Sequence, residues 1–482
     1  MIDYLQLKSI KTRIPIKVDR RLVLPLSIME LNLKETPMTG RHLVAMPYPG
    51  RGHINPMLNL CKLLAQTKPD LLITFVVTEE WLGLLSSEPQ PPPNIRLSAI
   101  PQVIPSEFGR AADFLGFIKA VHTKLQDPFE QLLDRLQQPP TAIIYDSYLS
   151  WAVDVGIQRN IPLAAFFTVS ASFITVFVHF DLLVQHHHFP LDVSERGHEV
   201  VDYIPGLAPT TIADMTTIFH GMGNITYPRV LESMLALKKA QFALFSSIYE
   251  FEGPVLDCLK AKLGIPVYHI GPMIPYFNLK PNTMIYKSDY FQWLDSQPKE
   301  SVLYISQGSF LSLASAQTNE FVEGVKESGV RFLWVMRDAS SQFKDGIGET
   351  GFLVPWCDQL KVLCHPSIGG FWTHCGWNST CEGIYAGVPM LTCPIFWDQI
   401  PNSKVIVNDM KIGLRVMKNR VNQEKVMSRQ QVAELVKEFM DPESDERREM
   451  VERAKKSSIT FRRAVAKGGS AASDLDSFIN SI

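Results

Sequence analysis

From His42 onward the hydrophobic pattern changes period in a regular way. An apolar run, HLVAMP, gives way to a glycine-containing loop, YPGRGH, and then to INPMLNLCKLLAQ, whose apolar positions recur at helical spacing. That is one β-α unit. Further apolar runs at Leu72–Val77, Ile95–Ala99, Ala142–Tyr145 and Leu163–Phe166 predict strands, separated by helical or loop stretches such as Ala112–Leu136. Continuous apolar strands alternating with helices are the mark of a parallel sheet covered on both faces. The first half therefore reads as one doubly wound domain.

Between Gly271 and Ser288 the chain turns rich in Pro, Asn and Tyr and follows neither period, which predicts a connector. Beyond it SVLYIS, RFLWVM, IGGFWTH and MLTCP are short apolar runs alternating with helices near Ala316–Ser328, Ser379–Ala386 and Gln399–Met410. This is a second α/β set. From Ser428 the chain is charged and helical, closing with SDLDSFINSI, and these helices are expected to pack on the outside. The expected organisation is an extension over 1–37, an N-terminal domain over 38–271, a linker over 272–288, a C-terminal domain over 289–460, and a final helix, 461–482, returning to the N-terminal domain.

Composition narrows the function classes. A chain of 482 residues with 46% hydrophobic and 20% charged residues is an ordinary multidomain globular protein, which excludes a single small module and wholesale disorder. Lys+Arg total 47 against 49 Asp+Glu, so the net charge of −2 gives no field that favours nucleic acid or an acidic membrane. Seven cysteines, five of them between Cys357 and Cys393 without regular spacing, fit reduced thiols in a cytoplasmic protein. The uncharged stretch Asn160 to Phe180 is broken by Pro162, Thr168, Ser170, Ser172, Thr175 and His179, so a buried strand and helix are expected there and no integral membrane segment. Residues 1–37 carry seven Lys and Arg but no unbroken apolar core of the signal-peptide kind.

Three places could carry chemistry. The loop Gly50-Arg51-Gly52-His53-Ile54-Asn55 opens like a dinucleotide fingerprint, but Asn55 stands where the third glycine belongs, so NAD is an improbable ligand. It does place His53 at the carboxyl end of a strand, where open α/β sheets bind ligands, although a helix-capping histidine has the same pattern. Asp146 follows the strand Ala142–Tyr145 directly; it could hold one ring nitrogen of His53, or it could simply cap a helix beginning near Tyr148. In the second half, His374-Cys375-Gly376-Trp377-Asn378-Ser379 follows a strand and opens a helix, with Asn378 or Ser379 expected at the N-cap and Gly387 just past the end. Free N–H groups at such an end suit a phosphate.

The block from Trp356 to Gln399, WCDQLKVLCHPSIGGFWTHCGWNSTCEGIYAGVPMLTCPIFWDQ, closely resembles the signature box of plant family 1 UDP-dependent glycosyltransferases. The resemblance runs from about Arg41 to the C-terminus and implies two facing Rossmann-like domains, the GT-B arrangement, with a cleft between them. It implies that Trp356 stacks on uracil, that Gln359 and Glu382 hold the ribose hydroxyls, and that His374, Asn378 and Ser379, with Trp377 beside them and Ser309 from the opposite loop, contact the diphosphate. Asp398 and Gln399 would bind sugar hydroxyls, the glutamine accompanying glucose use more often than galactose use, and Thr168 matches a position that touches the sugar. His53 resembles the family's general base and Asp146 its carboxylate partner. The chain departs from the pattern at Cys357-Asp358, where proline usually precedes the glutamine, and at Gln307, where Phe usually precedes Gly-Ser.

The expected activity is inverting, metal-independent transfer of a sugar, glucose first, from a UDP-sugar to a hydroxyl of a small lipophilic acceptor such as a flavonoid, phenol or terpenoid, by a monomer with no cofactor. The alternatives are a non-catalytic binder of the same fold and an epimerase or hydrolase of sugar nucleotides. The scattered Cys and His of the box lack zinc spacing, His186-His187-His188 reads as a solvated loop, and Asp474-Leu475-Asp476, though it spells the D-x-D metal motif of other glycosyltransferase folds, falls on an expected exposed helical face.

Overall fold

A computed structural model describes residues 40–215, 223–279, 288–308, 315–336, 348–417 and 426–482. The extension over 1–37, residues 280–287 of the expected linker, and Ser309 lie outside the described residues.

The N-terminal sheet is built from β1 (His42–Met46), β2 (Leu72–Thr78), β3 (Ile95–Ile100), β4 (Ala142–Asp146), β5 (Leu163–Phe167), β8 (Phe242–Phe245) and β9 (Val267–His269). A small antiparallel pair, β6 (Val200–Val201) with β7 (Thr210–Thr211), stands apart from it. The order β3-β2-β1-β4-β5-β8-β9 is parallel throughout. Every residue of β1, β2, β4 and β5 is buried, as expected of central strands covered by helices on both faces. The second sheet takes β10 (Val302–Ser306), β11 (Arg331–Val335), β12 (Gly351–Val354), β13 (Ile368–Thr373), β14 (Met390–Thr392) and β15 (Gly413–Arg415) in the order β12-β11-β10-β13-β14-β15, again all parallel. The fold is the expected pair of Rossmann-like domains.

Strands β8, β9, β12 and β15 were not among the runs picked out from the pattern. Each is three or four residues long and lies toward the outer end of its sheet.

Each sheet reverses its strand order once beside its first strand, between β1 and β4 and between β10 and β13. Loops leaving adjacent strands at such a reversal diverge to opposite faces and leave a crevice at the carboxyl ends, where doubly wound sheets take their ligands. The two crevices open into one cavity of about 290 Å³ whose walls include His53 from the first domain and His374 from the second.

The stretch 160–180 forms the buried strand β5 and the buried helix Ala171–Val178. Among the described residues no helix is long and apolar enough to cross a membrane. All seven cysteines are free thiols. The last helix, Ser470–Ser481, lays Leu475, Phe478 and Ile479 into the core of the N-terminal domain, with the Phe478 ring 5.7 Å from Phe242. Asp474 is not on a free face: it accepts the backbone N–H of His269 at 2.9 Å and lies 3.2 Å from that residue's Nε2.

Candidate active site

His53 sits on the first turn of the helix Arg51–Thr67, not in the loop before it, because Gly50 takes the extended N-cap conformation and the helix begins at Arg51. Its Nδ1 lies 2.8 Å from Asp146 Oδ2, with the imidazole 23% exposed and the carboxylate wholly buried. An ionised carboxylate only accepts, so the ring proton resides on Nδ1 and Nε2 is left with its lone pair. The rings of Tyr48 and Tyr148 stand 5.1 and 5.9 Å from the imidazole. The alternative helix-capping role is not what the structure shows: the second oxygen of Asp146 accepts the backbone N–H of Tyr148 at 3.2 Å within a turn, and Ser150 takes the N-cap position of the next helix. The helix that follows begins at Trp151, later than the sequence suggested.

Thr168, just past β5, places its hydroxyl 2.9 Å from His53 Nδ1. In this arrangement the threonine belongs to the His53–Asp146 cluster, and β1, β4 and β5 each contribute one member from adjacent carboxyl ends.

Across the cleft, His374 follows β13. Burial pushes its imidazole down to about 4, opposed by the nearby Ser306 backbone, and Nδ1 has no partner among the described residues. Two glycines make room for it: a Cβ on Gly308, where φ is +81°, would lie 2.6 Å from His374 Nε2, and one on Gly376 2.5 Å from the same atom. The helix Trp377–Ala386 is N-capped by Gly376, not by Asn378 or Ser379, so those two residues stand in the first turn with their side chains unspent on capping. Gly387 ends that helix in the left-handed conformation, as expected.

Ser379 Oγ and Glu382 Oε2 both accept from Gln359 Nε2, at 2.9 and 2.7 Å, while Gln359 Oε1 accepts from the Tyr304 hydroxyl at 3.1 Å. Burial raises the Glu382 carboxyl to about 7. Trp356, next to this group in the chain, leaves 65% of its surface exposed, an uncovered aromatic face of the kind a planar base can occupy.

Trp377 and Asn378 tie the two domains together. The Trp377 indole N–H donates to the Ser246 carbonyl at 2.7 Å, and Asn378 Nδ2 donates to the Gly52 carbonyl at 2.9 Å. That second carbonyl is available for a local reason. In a helix it would accept from residue 56, but Pro56 has no N–H. Asp398 stands at the N-cap position of the helix Gln399–Lys404 without a side-chain cap; burial lifts its carboxyl to about 6, and it accepts from Asn402 Nδ2 at 2.9 Å. Gln399 lines the cavity, and its Oε1 accepts the backbone N–H groups of Ile395 and Phe396.

The structure thus gathers His53, His374, Asp398 and Gln399 around one cavity, with Asp146 and Thr168 behind His53. Gln359, Ser379 and Glu382 form a neighbouring polar cluster, and Trp356 stands exposed beside it. The Phe, His and Met content of Pro101–Leu115 and Phe177–Thr226 reads as an apolar acceptor pocket, and the cavity takes Phe114 from the first stretch and Thr226 from the second; the other rings of its apolar half, Tyr48, Phe117, Tyr148, Phe396 and Trp397, lie outside those stretches. Phe396 and Trp397 lay inside the recognised block, but ring orientation has no sequence signal. His186 to His188 bind no free space of this kind: His188 is held by the Tyr203 hydroxyl and Glu199 at 2.6 and 3.0 Å.

Fold and site together define a two-domain α/β enzyme with its catalytic crevice between paired switch points. Residues 270–453 match the family model described as UDP-glucoronosyl and UDP-glucosyl transferase. UDP-glycosyltransferase 87A2 of Arabidopsis thaliana is 51% identical over 444 residues, covering 92% of this chain and 97% of its own length. Among solved structures, Phytolacca americana UGT2 complexed with UDP-2fluoro-glucose and pterostilbene superposes with a TM-score of 0.77 at 26% identity, over 93% of this chain and 100% of that one. Medicago truncatula UGT71G1 complexed with UDP-glucose gives 0.77 at 25%, over 92% and 98%. The chain belongs to the plant UDP-glycosyltransferase family and is a glycosyltransferase.

Proposed function

We propose that this enzyme transfers glucose from UDP-glucose to a hydroxyl of a small lipophilic acceptor, a flavonoid, phenol or terpenoid, with inversion at the anomeric carbon and without a metal. The observation that carries the reading is the His53–Asp146 pair, 2.8 Å apart, opening on an aromatic-walled cavity that also holds Asp398 and Gln399. Solved relatives support the donor and acceptor classes, one complexed with UDP-glucose and another with UDP-2fluoro-glucose and pterostilbene.

His53 Nε2 takes the proton of the acceptor hydroxyl as its oxygen forms a bond to the anomeric carbon. The bond from that carbon to the UDP oxygen breaks with its electron pair on UDP. A single displacement from the face opposite the leaving group converts an α-linked donor into a β-glucoside. Asp146 stabilises the imidazolium that forms, while the N-terminus of the helix Trp377–Ala386 and His374 meet the charge growing on the diphosphate. Trp356 stacks on uracil, Gln359 and Glu382 hold the ribose, Asn378, Ser379 and Ser309 reach the phosphates, and Asp398 and Gln399 hold the sugar hydroxyls. The test is acceptor-dependent release of UDP from UDP-glucose with the product identified by mass spectrometry. Release of free glucose with no glucosylated acceptor would make the protein a hydrolase.

A further inference from the structure

Trp397 departs from ordinary backbone geometry at a telling place. Its φ is +60°, a left-handed conformation that bulky L residues rarely adopt and that persists only when the surroundings fix it. The loop around it is pinned, since Gln399 Oε1 accepts the N–H groups of Ile395 and Phe396 at 2.7 and 2.9 Å. The reversed backbone lets consecutive residues serve two purposes. Asp398, at the N-cap position of the next helix, lines the cavity and accepts from Asn402 Nδ2, while the Trp397 indole enters the N-terminal domain. There it lies 5.7 and 6.2 Å from the rings of Phe173 and Phe177, 5.5 Å from that of Phe396, and its N–H donates to the Tyr148 hydroxyl at 3.3 Å. Tyr148 is the same ring that stands 5.9 Å from His53. A residue of the second domain therefore completes a wall of the pocket that begins at the base.

Resting on the transferase reading above, we propose that Trp397 is a specificity-determining residue for the acceptor, its indole forming with Tyr148 and Phe396 the wall on which a planar aromatic alcohol of the phenol class seats with its hydroxyl toward His53. The chemistry favours a flat ring over a branched chain. Aromatic walls gain most from another ring, offset or edge-on, whose quadrupole complements theirs, and Phe114 already meets Phe396 edge-on at 5.7 Å across the cavity. An aliphatic alcohol of the same size receives only its apolar area.

Initial rates with UDP-glucose would be compared for two probes, 4-methylumbelliferone and geraniol. The wild-type enzyme is expected to favour the aromatic probe by about 10-fold or more in kcat/KM, the scale on which pocket contacts discriminate. Trp397→Ala should collapse that ratio to within about 2-fold by raising the KM of the aromatic probe about 10-fold, with the KM of UDP-glucose unchanged. Trp397→Phe should keep the preference. Trp397→Gly suits the left-handed backbone and serves as the second variant should the alanine protein fold poorly. A ratio that both small variants leave intact, or an equal loss of donor and acceptor affinity, overturns the assignment while leaving the transferase reading in place. If the wild-type enzyme binds UDP-glucose but glucosylates neither probe nor any other alcohol in a broad panel, the transferase reading falls and this assignment falls with it.

Discussion

Asp146 Oδ2 and His53 Nδ1 are 2.8 Å apart although 93 positions separate them in the chain, and the contact exists because β1 and β4 are neighbours at the point where the first sheet reverses its order. His53→Ala is expected to lower turnover by about 10²- to 10⁴-fold, the scale of general base assistance, with UDP affinity nearly unchanged. Asp146→Asn, which leaves the ring free to take the other tautomer, should cost at least about 10²-fold. Steady-state rates alongside calorimetric titration with UDP check both. Intact turnover in His53→Ala with an ordinary hydroxyl acceptor would remove the base from the mechanism.

Trp356 tests the donor side separately. With 65% of its surface exposed it supports little of the fold, so Trp356→Ala should shift thermal stability by no more than about 0.5 kcal/mol. Loss of a stacking face, about 0.5–1.5 kcal/mol, should raise the KM for UDP-glucose about 2- to 10-fold and leave kcat much less affected. An unchanged donor KM would refute stacking.

Gly308 is where a single methyl group should act most sharply. At φ +81° an alanine is strained, and its Cβ would fall 2.6 Å from His374 Nε2, so His374 has to move. Gly308→Ala should cost about 1 kcal/mol or more of stability and weaken UDP binding. Binding equal to wild type would mean that the His374 position is immaterial to the diphosphate.

Much of this was legible in the chain before folding. The apolar runs located β1, β2, β4 and β5, and the block Trp356 to Gln399 contains the hydrogen-bonded group of Gln359, Ser379 and Glu382. What escaped has physical reasons. The outer strands β9 and β15 are three residues long, too few to establish a period by themselves. The start of the helix at Trp377 turned on Gly376 adopting the N-cap conformation, where serine and asparagine have the stronger preference. The two bonds joining Trp377 to Ser246 and Asn378 to Gly52 span the domains, and the second depends on a proline whose missing N–H matters only in three dimensions.

Glu382 gives the donor site a pH signature. Burial raises its carboxyl from 4.5 to about 7, opposed by the hydrogen bond from Gln359. A raised folded-state value means that the proton favours the folded over the unfolded chain, a contribution present below about 4.5 and lost as pH rises through about 7. Ribose hydroxyls need the ionised form as acceptor, so UDP-glucose binding should tighten as pH rises toward about 7 and level off above it. In Glu382→Gln the part of that rise near 7 should vanish, leaving whatever Asp398 contributes near 6. Titrations of both proteins at several pH values measure the difference; a ratio of affinities independent of pH would show that Glu382 does not hold the ribose.

The central claim is that His53 deprotonates an acceptor that attacks the sugar opposite the departing UDP. The most direct measurement is the anomeric configuration, by proton NMR, of the glucoside made from UDP-glucose and a phenolic acceptor. A β-linked product, formed by the wild-type enzyme and lost in His53→Ala, is the expected result. An α-linked product, or β-product formed at an undiminished rate without the histidine, would contradict it.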